Sequence, residues 1–484
     1  MVHDPIRNLL YISSGGVVQR YDLKSRQFLD PIQLGGNLKG MDLSPDAKTL
    51  TVADYTYADG QNWIHLVDLQ AGTSRKIAFP LASSEGGTYS VAYGYDGNIL
   101  VTSTFNGSGW VPLRKYHPAT GTTTVIRSGI TQNSMLSASA DGSTIGFAES
   151  NISDGRWGRY RVNDGDFVER TGYTDGTGWY NYEIGTNRDG TQFAIPTYGG
   201  TFIYDAFFTK VATLGQYAGP QPIGVVYHPN KEIVYFAWAG TKEVRAYEST
   251  TFAQLGSYDF EYTFQNTGNW AYREGRLKMS RDGSLLFATV NGGVQAVCLV
   301  RPVVFDQSVQ TTEDTTVSVT LKVDAPCGGS LAYEILSLPQ HGALTGEAPN
   351  LTYSPAADFY GSDSFSFKVN DGSYDSNTAT VTINVTSVND PPIAKADTAS
   401  VRIGSSVVIP VLANDGDADG DVLSIKAVSR PTYGKVRILA NGTLSYVPSV
   451  FPRPRTTSYR DVFSYTVSDG HGGTAMANVT VYIN

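Results

Sequence analysis

The sequence predicts an all-β chain in which a series of four-stranded units is followed by two larger sandwich modules. Three observations carry this expectation. A short hairpin turn returns seven times in the first 300 residues, and beyond Arg301 a second, longer repeat takes over. The chain of 484 residues also contains 51 Gly, 22 Pro and 30 Tyr at 41% hydrophobic content, which fits a turn-rich folded chain and not a disordered one.

The recurring turn reads DPIRNLLYIS at 4–13, SPDAKTLTVA at 44–53, YDGNILVTS at 95–103 and ADGSTIGFA at 140–148. It continues as RDGTQFAIP at 188–196, HPNKEIVYFA at 228–237 and RDGSLLFATV at 281–290. Successive turns are 40, 50, 45, 48, 41 and 52 residues apart, a period that signals a repeat architecture. Asp and Gly tolerate positive φ, so an Asp-Gly or Pro-Asp turn between alternating apolar runs is hairpin chemistry. Each unit holds four short strands. Seven such units at 1–301 predict a seven-bladed β-propeller. Only MVH precedes the first turn and little follows the last hairpin. The first unit is therefore expected to lack its innermost strand and the last its outermost, as in a fragment of a longer chain.

After Arg301 Trp disappears while Thr, Val and Asp rise. Pro339 and Pro431 match at a separation of 92, and Asp371 and Asp469 at 98. The difference reflects the insertion FPRPRTTSYR at 451–460, and the hinge between repeats is VNDPP at 388–392. Alternating strands at this spacing predict two β-sandwiches, at 302–388 and 389–484.

The turn SPDAKTLTVA and the second turns YDLKSR, VDLQAG and YHPATG resemble the YVTN-type bacterial propellers, a likeness that implies fold only. VLANDGDADGD, GTLSYVP and FSYTVSDGHGGTA are similar to the tandem cadherin-like, Ig-fold repeats of bacterial surface proteins and adhesins. That resemblance implies Ig-like modules on a secreted or cell-surface protein.

The densest chemical motif is NDGDADGDVL, in which Asp415, Asp417, Asp419 and Asp421 alternate around two glycines. Like charges this close repel unless a cation lies between them, and oxygen-only ligands suit Ca²⁺. The bland alternative is a solvated acidic turn. Asp397, Asp461 and Asp469 are candidate distal ligands. At the matching place the first sandwich has LKVDAPCGGS, with only Asp324, so the calcium loop of the resembled family is expected to be lost there. Chelation is accordingly expected to loosen the second sandwich alone.

With strands lettered a to d from the axis outward, the Asp-Gly turns join a to b and define a lower face. Trp63, Trp110 and Trp157 end b–c segments, Trp238 enters one, and Trp179 and Trp270 lie in d–a segments. All six therefore fall on the upper rim, with Tyr173, Tyr180, Tyr182, Tyr262 and Tyr272. Aromatic rings among Gly, Asn and Asp loops suit the stacking of sugar rings. At equivalent places in successive units, Trp63, Trp110 and Trp157 are equally open to a purely packing role.

Catalytic signals are sparse. Of the six His, His3, His117 and His228 lie at lower-face turns, His65 within a strand, and His341 and His471 in sandwich loops. Upper-rim acids exist, among them Glu85, Glu149 and Glu183, but no phosphate loop, nucleophile elbow or zinc-protease motif is present. The net charge of −9 disfavours nucleic acid binding, and no apolar run reaches the roughly 18–20 residues that span a bilayer. The N-terminus shows no signal peptide pattern. Cys298 and Cys327 are the only cysteines, free or paired as a brace. The sequence therefore reads as an extracellular binding or adhesion protein, its upper face taking a glycan or a cell-surface or matrix protein, on calcium-stiffened spacers. The alternatives are a propeller hydrolase, lactonase-like or glycan-cleaving, and a purely structural surface or matrix component.

Overall fold

The computed structural model describes all residues except 108, 151–154, 171–180, 198, 216–220, 265–275, 291–292, 326, 328–329, 373 and 450–458. Two compact units divide the chain. The first comprises Met1–Pro302 with Ala325–Leu331 and Asp371–Tyr374, the second Val303–Asp324, Ala332–Asn370 and Asp375–Asn484. Among the described residues all regular structure is β apart from one 3-10 turn, Val411–Ala413.

The first unit is a β-propeller. Its described strands form six four-stranded antiparallel meanders and a last one of three. Burial falls from the axis outward. The inner strand Glu85–Tyr93 is buried along its whole length, whereas the outer strand Gln27–Gln33 is mostly exposed. The repeated turn is held by its acid. Asp141 accepts the Ser139 hydroxyl at 2.6 Å and the Ser143 amide at 2.9 Å, and Asp282 does the same with Ser280 and Ser284 at 2.5 and 3.0 Å. Gly142 and Gly283 follow in the left-handed region, at φ 70° and 78°, where a side chain would be strained. Adjacent turns are laced together, Tyr95 donating to Gly142 O and Asp141 to Arg188 O, both at 3.0 Å.

The blades are joined by side chains that the outermost strand of one sends into the next. Ile32 packs on Leu38, Leu43 and Val52, while Ile77 and Phe79 meet Val91 and Val101. Ile126 and Ile130 meet Leu136 and Ile145. Ala212 and Leu214 meet Val225 and Phe236, and Tyr258 and Phe260 meet Leu277 and Leu286.

Both ends of the propeller repay comparison with the sequence expectation. The first blade does have an inner strand, Val2–Asp4, in which Val2 pairs with Tyr11 and Asp4 with Leu9. Three residues are too few to show a period, which is why the sequence did not reveal it. Among the described residues the last blade has Leu277–Met279, Leu285–Val290 and Gly293–Cys298. First and last blades meet directly, Leu10 and Leu23 packing with Leu285 and Phe287. On the lower face the Arg281 guanidinium donates to Ser44 O and Pro45 O at 3.1 and 2.9 Å. Cys298 is bonded to Cys327, with 5.7 Å between their Cα atoms.

The second unit contains two sandwiches of the same design. The first stacks the sheet of Gln307–Thr312, Ala379–Thr386, Gly361–Asn370 and Ala332–Ser337 on that of Val317–Thr320, Asn350–Pro355 and Gly342–Glu347. The second repeats this order. In each, the first strand of the larger sheet runs parallel to the last strand of the chain segment, Gln307 facing Val381 and Asp397 facing Val479. Buried Phe365, Phe367 and Val369 alternate with outward residues along one strand, the period of two that a half-buried sheet imposes.

Candidate functional site

The acidic run of the second sandwich does not act as one cluster. Asp417, Asp419 and Asp421 bring carboxylate oxygens within 4.8 Å of one another. Asp415 turns away, accepting the Lys395 amide and the Tyr465 hydroxyl at 2.8 Å. This corrects its assignment to the metal set, because the 3-10 turn just before it carries the backbone round. The suggested distal ligands are also engaged elsewhere. Asp461 takes the amides of Thr432 and Tyr433 and the Tyr446 hydroxyl, while Asp469 takes Asn389 Nδ2 and the His471 amide. Asp397 faces Asp415, and burial followed by that charge pushes its carboxyl up.

A second triad, absent from the sequence expectation, comprises Asp314, Asp358 and Asp390, again within 4.8 Å. Asp314 and Asp358 stand in loops of the first sandwich at φ 56° and 59°, and Asp390 belongs to the hinge. The triads are adjacent, since the Asp390 amide donates to Asp419 Oδ2 at 2.7 Å. Burial, then the charges of Asp358, Asp419, Asp314 and Asp417, push the Asp390 carboxyl above its usual range. Asp390 Oδ2 and Asp417 Oδ2 are buried without a hydrogen-bond partner among the described residues. At the rim of the cluster His471 Nδ1 lies 2.8 Å from Asp421 Oδ2, and that carboxylate holds the imidazole above its usual value. An all-oxygen donor set with orphaned acceptors fits a hard cation such as Ca²⁺.

On the propeller, the described Trp residues stand at the b–c ends of their blades, as the strand reversal requires. Their surroundings differ. Trp157 is 2% exposed and packs on Tyr204 and Phe208 at 4.3 and 5.0 Å, and Tyr182 at 8% lies in the core of the sixth and seventh blades. Both are corrected from ligand contacts to packing residues, because the neighbouring blade covers their rings. Trp238 is also buried, with Arg245 over its ring. Trp63 donates to the buried Asp54 at 2.6 Å, and His65 Nε2 lies 3.0 Å from the same carboxylate. Trp110 alone among these four is 46% exposed, with the Arg156 guanidinium 4.2 Å from its ring centre. Exposed Tyr55 and Tyr57 stand on the neighbouring blade, the Tyr57 hydroxyl donating to Asn106 Oδ1 at 3.0 Å. Trp179, Tyr180, Trp270 and Tyr272 lie outside the described residues.

Two of the rim acids are engaged within the fold. Glu85 is buried against Arg114, and Glu183 accepts Arg276 Nε at 2.9 Å and the Val225 amide at 3.1 Å. At the axis, a cavity of about 210 Å³ is lined by Asp42, Arg276 and Lys278 among others. Burial pushes the Asp42 carboxyl up and the Lys278 amine down, so both resist charging.

Residues 300–384 and 389–482 each match the family model described as Bacterial Ig domain. No curated protein matches the chain. Solved structures similar to it include Kuenenia stuttgartiensis hydrazine synthase, at 15% identity and a TM-score of 0.48, covering 61% of this chain and 94% of that one. Another is the beta-propeller domain of Myceliophteria thermophila Cps50 (Swd1), at 11% identity and a TM-score of 0.46, covering 62% and 96%. The two C-terminal modules are thus bacterial Ig-like domains carried behind a β-propeller, and no helix of the described chain is long and apolar enough to cross a membrane.

Proposed function

We propose that this is a surface-displayed recognition protein, in which the propeller rim binds a glycan or a cell-surface or matrix protein and the two Ig-like modules form a calcium-stiffened spacer. The observation that carries the reading is the pair of aspartate triads contributed by both modules and their hinge, with two buried oxygens left without partners. Without a cation, six carboxylates repel and loosen the junction. With Ca²⁺ between them, loops from both sides are drawn to one centre. Asp314, Asp358, Asp390, Asp417, Asp419 and Asp421 would hold the ions, which supply only positive charge. The presence of bacterial Ig domains supports display at a surface, and exposed Trp110 with Tyr55 and Tyr57 supports recognition at the rim.

Calorimetric titration of the chain with CaCl₂ is expected to show saturable binding that Asp390→Asn and Asp417→Asn each weaken at least tenfold. Unchanged sandwich melting with calcium or chelator would defeat the spacer. A glycan array probed with the same chain and with Trp110→Ala tests the rim, whose role fails if no glycan or surface extract binds.

A further inference from the structure

Along the rim of the second and third blades each aromatic ring keeps company with a cation. Lys39 Nζ lies 5.3 Å from the centre of the Tyr55 ring, Lys76 Nζ 4.4 Å from that of Trp63, and the Arg156 guanidinium 4.2 Å from that of Trp110. The pull of a ring face is weak beside what a cation loses on leaving water, so a ring alone does not balance a half-buried amine. Lys39, at the upper end of the inner strand Leu38–Leu43, is such an amine, and burial alone lowers it from its ordinary value. Neither the Lys39 amine nor that of Lys76 has a carboxylate or hydrogen-bond acceptor beside it among the described residues.

The acids at this end of the two blades do not supply the missing charge. Asp54 is buried and accepts the Trp63 indole and the Thr56 hydroxyl at 2.6 and 2.7 Å, and Glu85 is buried against Arg114. Asp59 stands at a hairpin tip, between the strands Thr49–Ala58 and Gln61–Asp68. The rings, by contrast, are firmly set. The Tyr55 amide donates to Asn37 O at 2.8 Å, and a Cβ on Gly87 would stand 2.0 Å from Tyr55 O, so only glycine lets the two chains meet this closely. Tyr57 is tied to the third blade through Asn106, and a Cβ on Gly86 would come within 3.5 Å of its ring. Tyr55 and Tyr57 nevertheless remain 40% and 42% exposed.

We infer that the ligand of the rim is an acidic polysaccharide, whose sugar rings stack on Tyr55, Tyr57 and Trp110 while its acid groups meet Lys39 and Lys76. The inference rests on the recognition role proposed above and names the class of glycan. Flat faces for pyranose rings and compact, uncompensated ammonium groups for the acid substituents are the two chemistries such a polymer repeats along its length. At a net charge of −9 the chain as a whole repels polyanions, so attraction must come from these local cations.

Biolayer interferometry of the intact chain on immobilised polygalacturonate, hyaluronan and heparin is the test, with no free calcium to bridge carboxylates. Methyl-esterified polygalacturonate, which keeps the rings and loses the charge, and cellulose oligomers serve as neutral surfaces. Saturable binding to at least one acidic polymer is expected, at least tenfold weaker to the neutral ones and weakened by salt. Lys39→Met should weaken it at least tenfold and Lys39→Arg restore it, while Lys48→Met on the lower face leaves it unchanged. Tyr55→Ala should weaken it as well, and the melting of each variant checks its fold. Neutral polymers bound as tightly as acidic ones would overturn the inference and leave the rim's recognition role standing. Acid binding that Lys39→Met and Lys76→Met together leave unchanged would overturn it too, as mere charge attraction elsewhere. No binding to any polymer, acidic or neutral, would defeat both.

Discussion

In the first sandwich Tyr353 donates to Asp363 at 2.8 Å, and in the second Tyr446 donates to Asp461 at 2.7 Å. Each acid also takes two successive backbone amides, Gln340 and His341 in one case, Thr432 and Tyr433 in the other. These three bonds are thus repeated in both copies, and Asp363 takes the Ser364 amide as well. The loops that follow the first strand of the smaller sheet differ. In the second sandwich that loop carries Asp417, Asp419 and Asp421, and Asp419 holds the hinge residue Asp390. In the first it carries Cys327, bonded to Cys298 of the preceding blade. The same loop position thus carries a disulfide in one copy and clustered carboxylates in the other. The bond holds wherever oxidising conditions persist, whereas the carboxylate junction, on the function proposed above, would tighten and loosen with calcium.

The largest effect should come from the shared framework. Asp363→Ala strands three amides and a Tyr hydroxyl and Asp461→Ala two amides and a Tyr hydroxyl, at about 1.5–3 kcal/mol per charge-assisted bond, so each module should lose at least about 4.5 kcal/mol in denaturant titration. A larger loss from Asp461→Ala than from Asp363→Ala would break the likeness between the copies. Next in size is the disulfide. Cys298→Ser opens a loop of sequence separation 29, worth about 3–4 kcal/mol by chain entropy, and a reductant should reproduce the loss in a thermal melt. Calcium at a hundredfold excess over its dissociation constant should stabilise by about 2.7 kcal/mol. Because Asp314 and Asp358 belong to the first module, both modules should respond, in place of the one-sided response the sequence suggests. A shift confined to the second module would remove the first from the site.

Acid should separate the copies more gently. Burial raises the Asp363 carboxyl, but the amides of Gln340 and His341 and the Tyr353 hydroxyl outweigh it, and the net direction is downward. An acid held lower in the folded state stabilises fully above its ordinary value near 4, and that contribution is lost as pH falls through the depressed value. Asp363→Asn should therefore flatten the acid limb of the stability profile while lowering its plateau. Smallest of all, Trp110→Ala should change stability by no more than about 1 kcal/mol, the scale of an exposed cation–π contact, while removing rim binding.

What the sequence disclosed follows from the range of the physics involved. The Asp-Gly turns were legible because Asp141 and Gly142 act on their immediate neighbours. The alternation of Phe365, Phe367 and Val369 was legible for the same reason. Trp110 and Trp157 stand at equivalent places, yet one is open and the other enclosed, because Tyr204 and Phe208 arrive from the next blade. No local pattern announces that. Asp415 looked like its neighbours in the run until the backbone turned it to Tyr465, and Asp314 and Asp358 are isolated acids that only folding brings to Asp390.

The meeting of the first and last blades through Leu10, Leu285 and Phe287, with Arg281 reaching Ser44 and Pro45 but no strand in common among the described residues, has a mechanical corollary. A closed circle without a shared strand has one predetermined point of rupture. Its amides in Val2–Asp4 and Gly293–Cys298 should exchange with deuterium together and early, well before those of Glu85–Tyr93, as the circle breathes open there and nowhere else first.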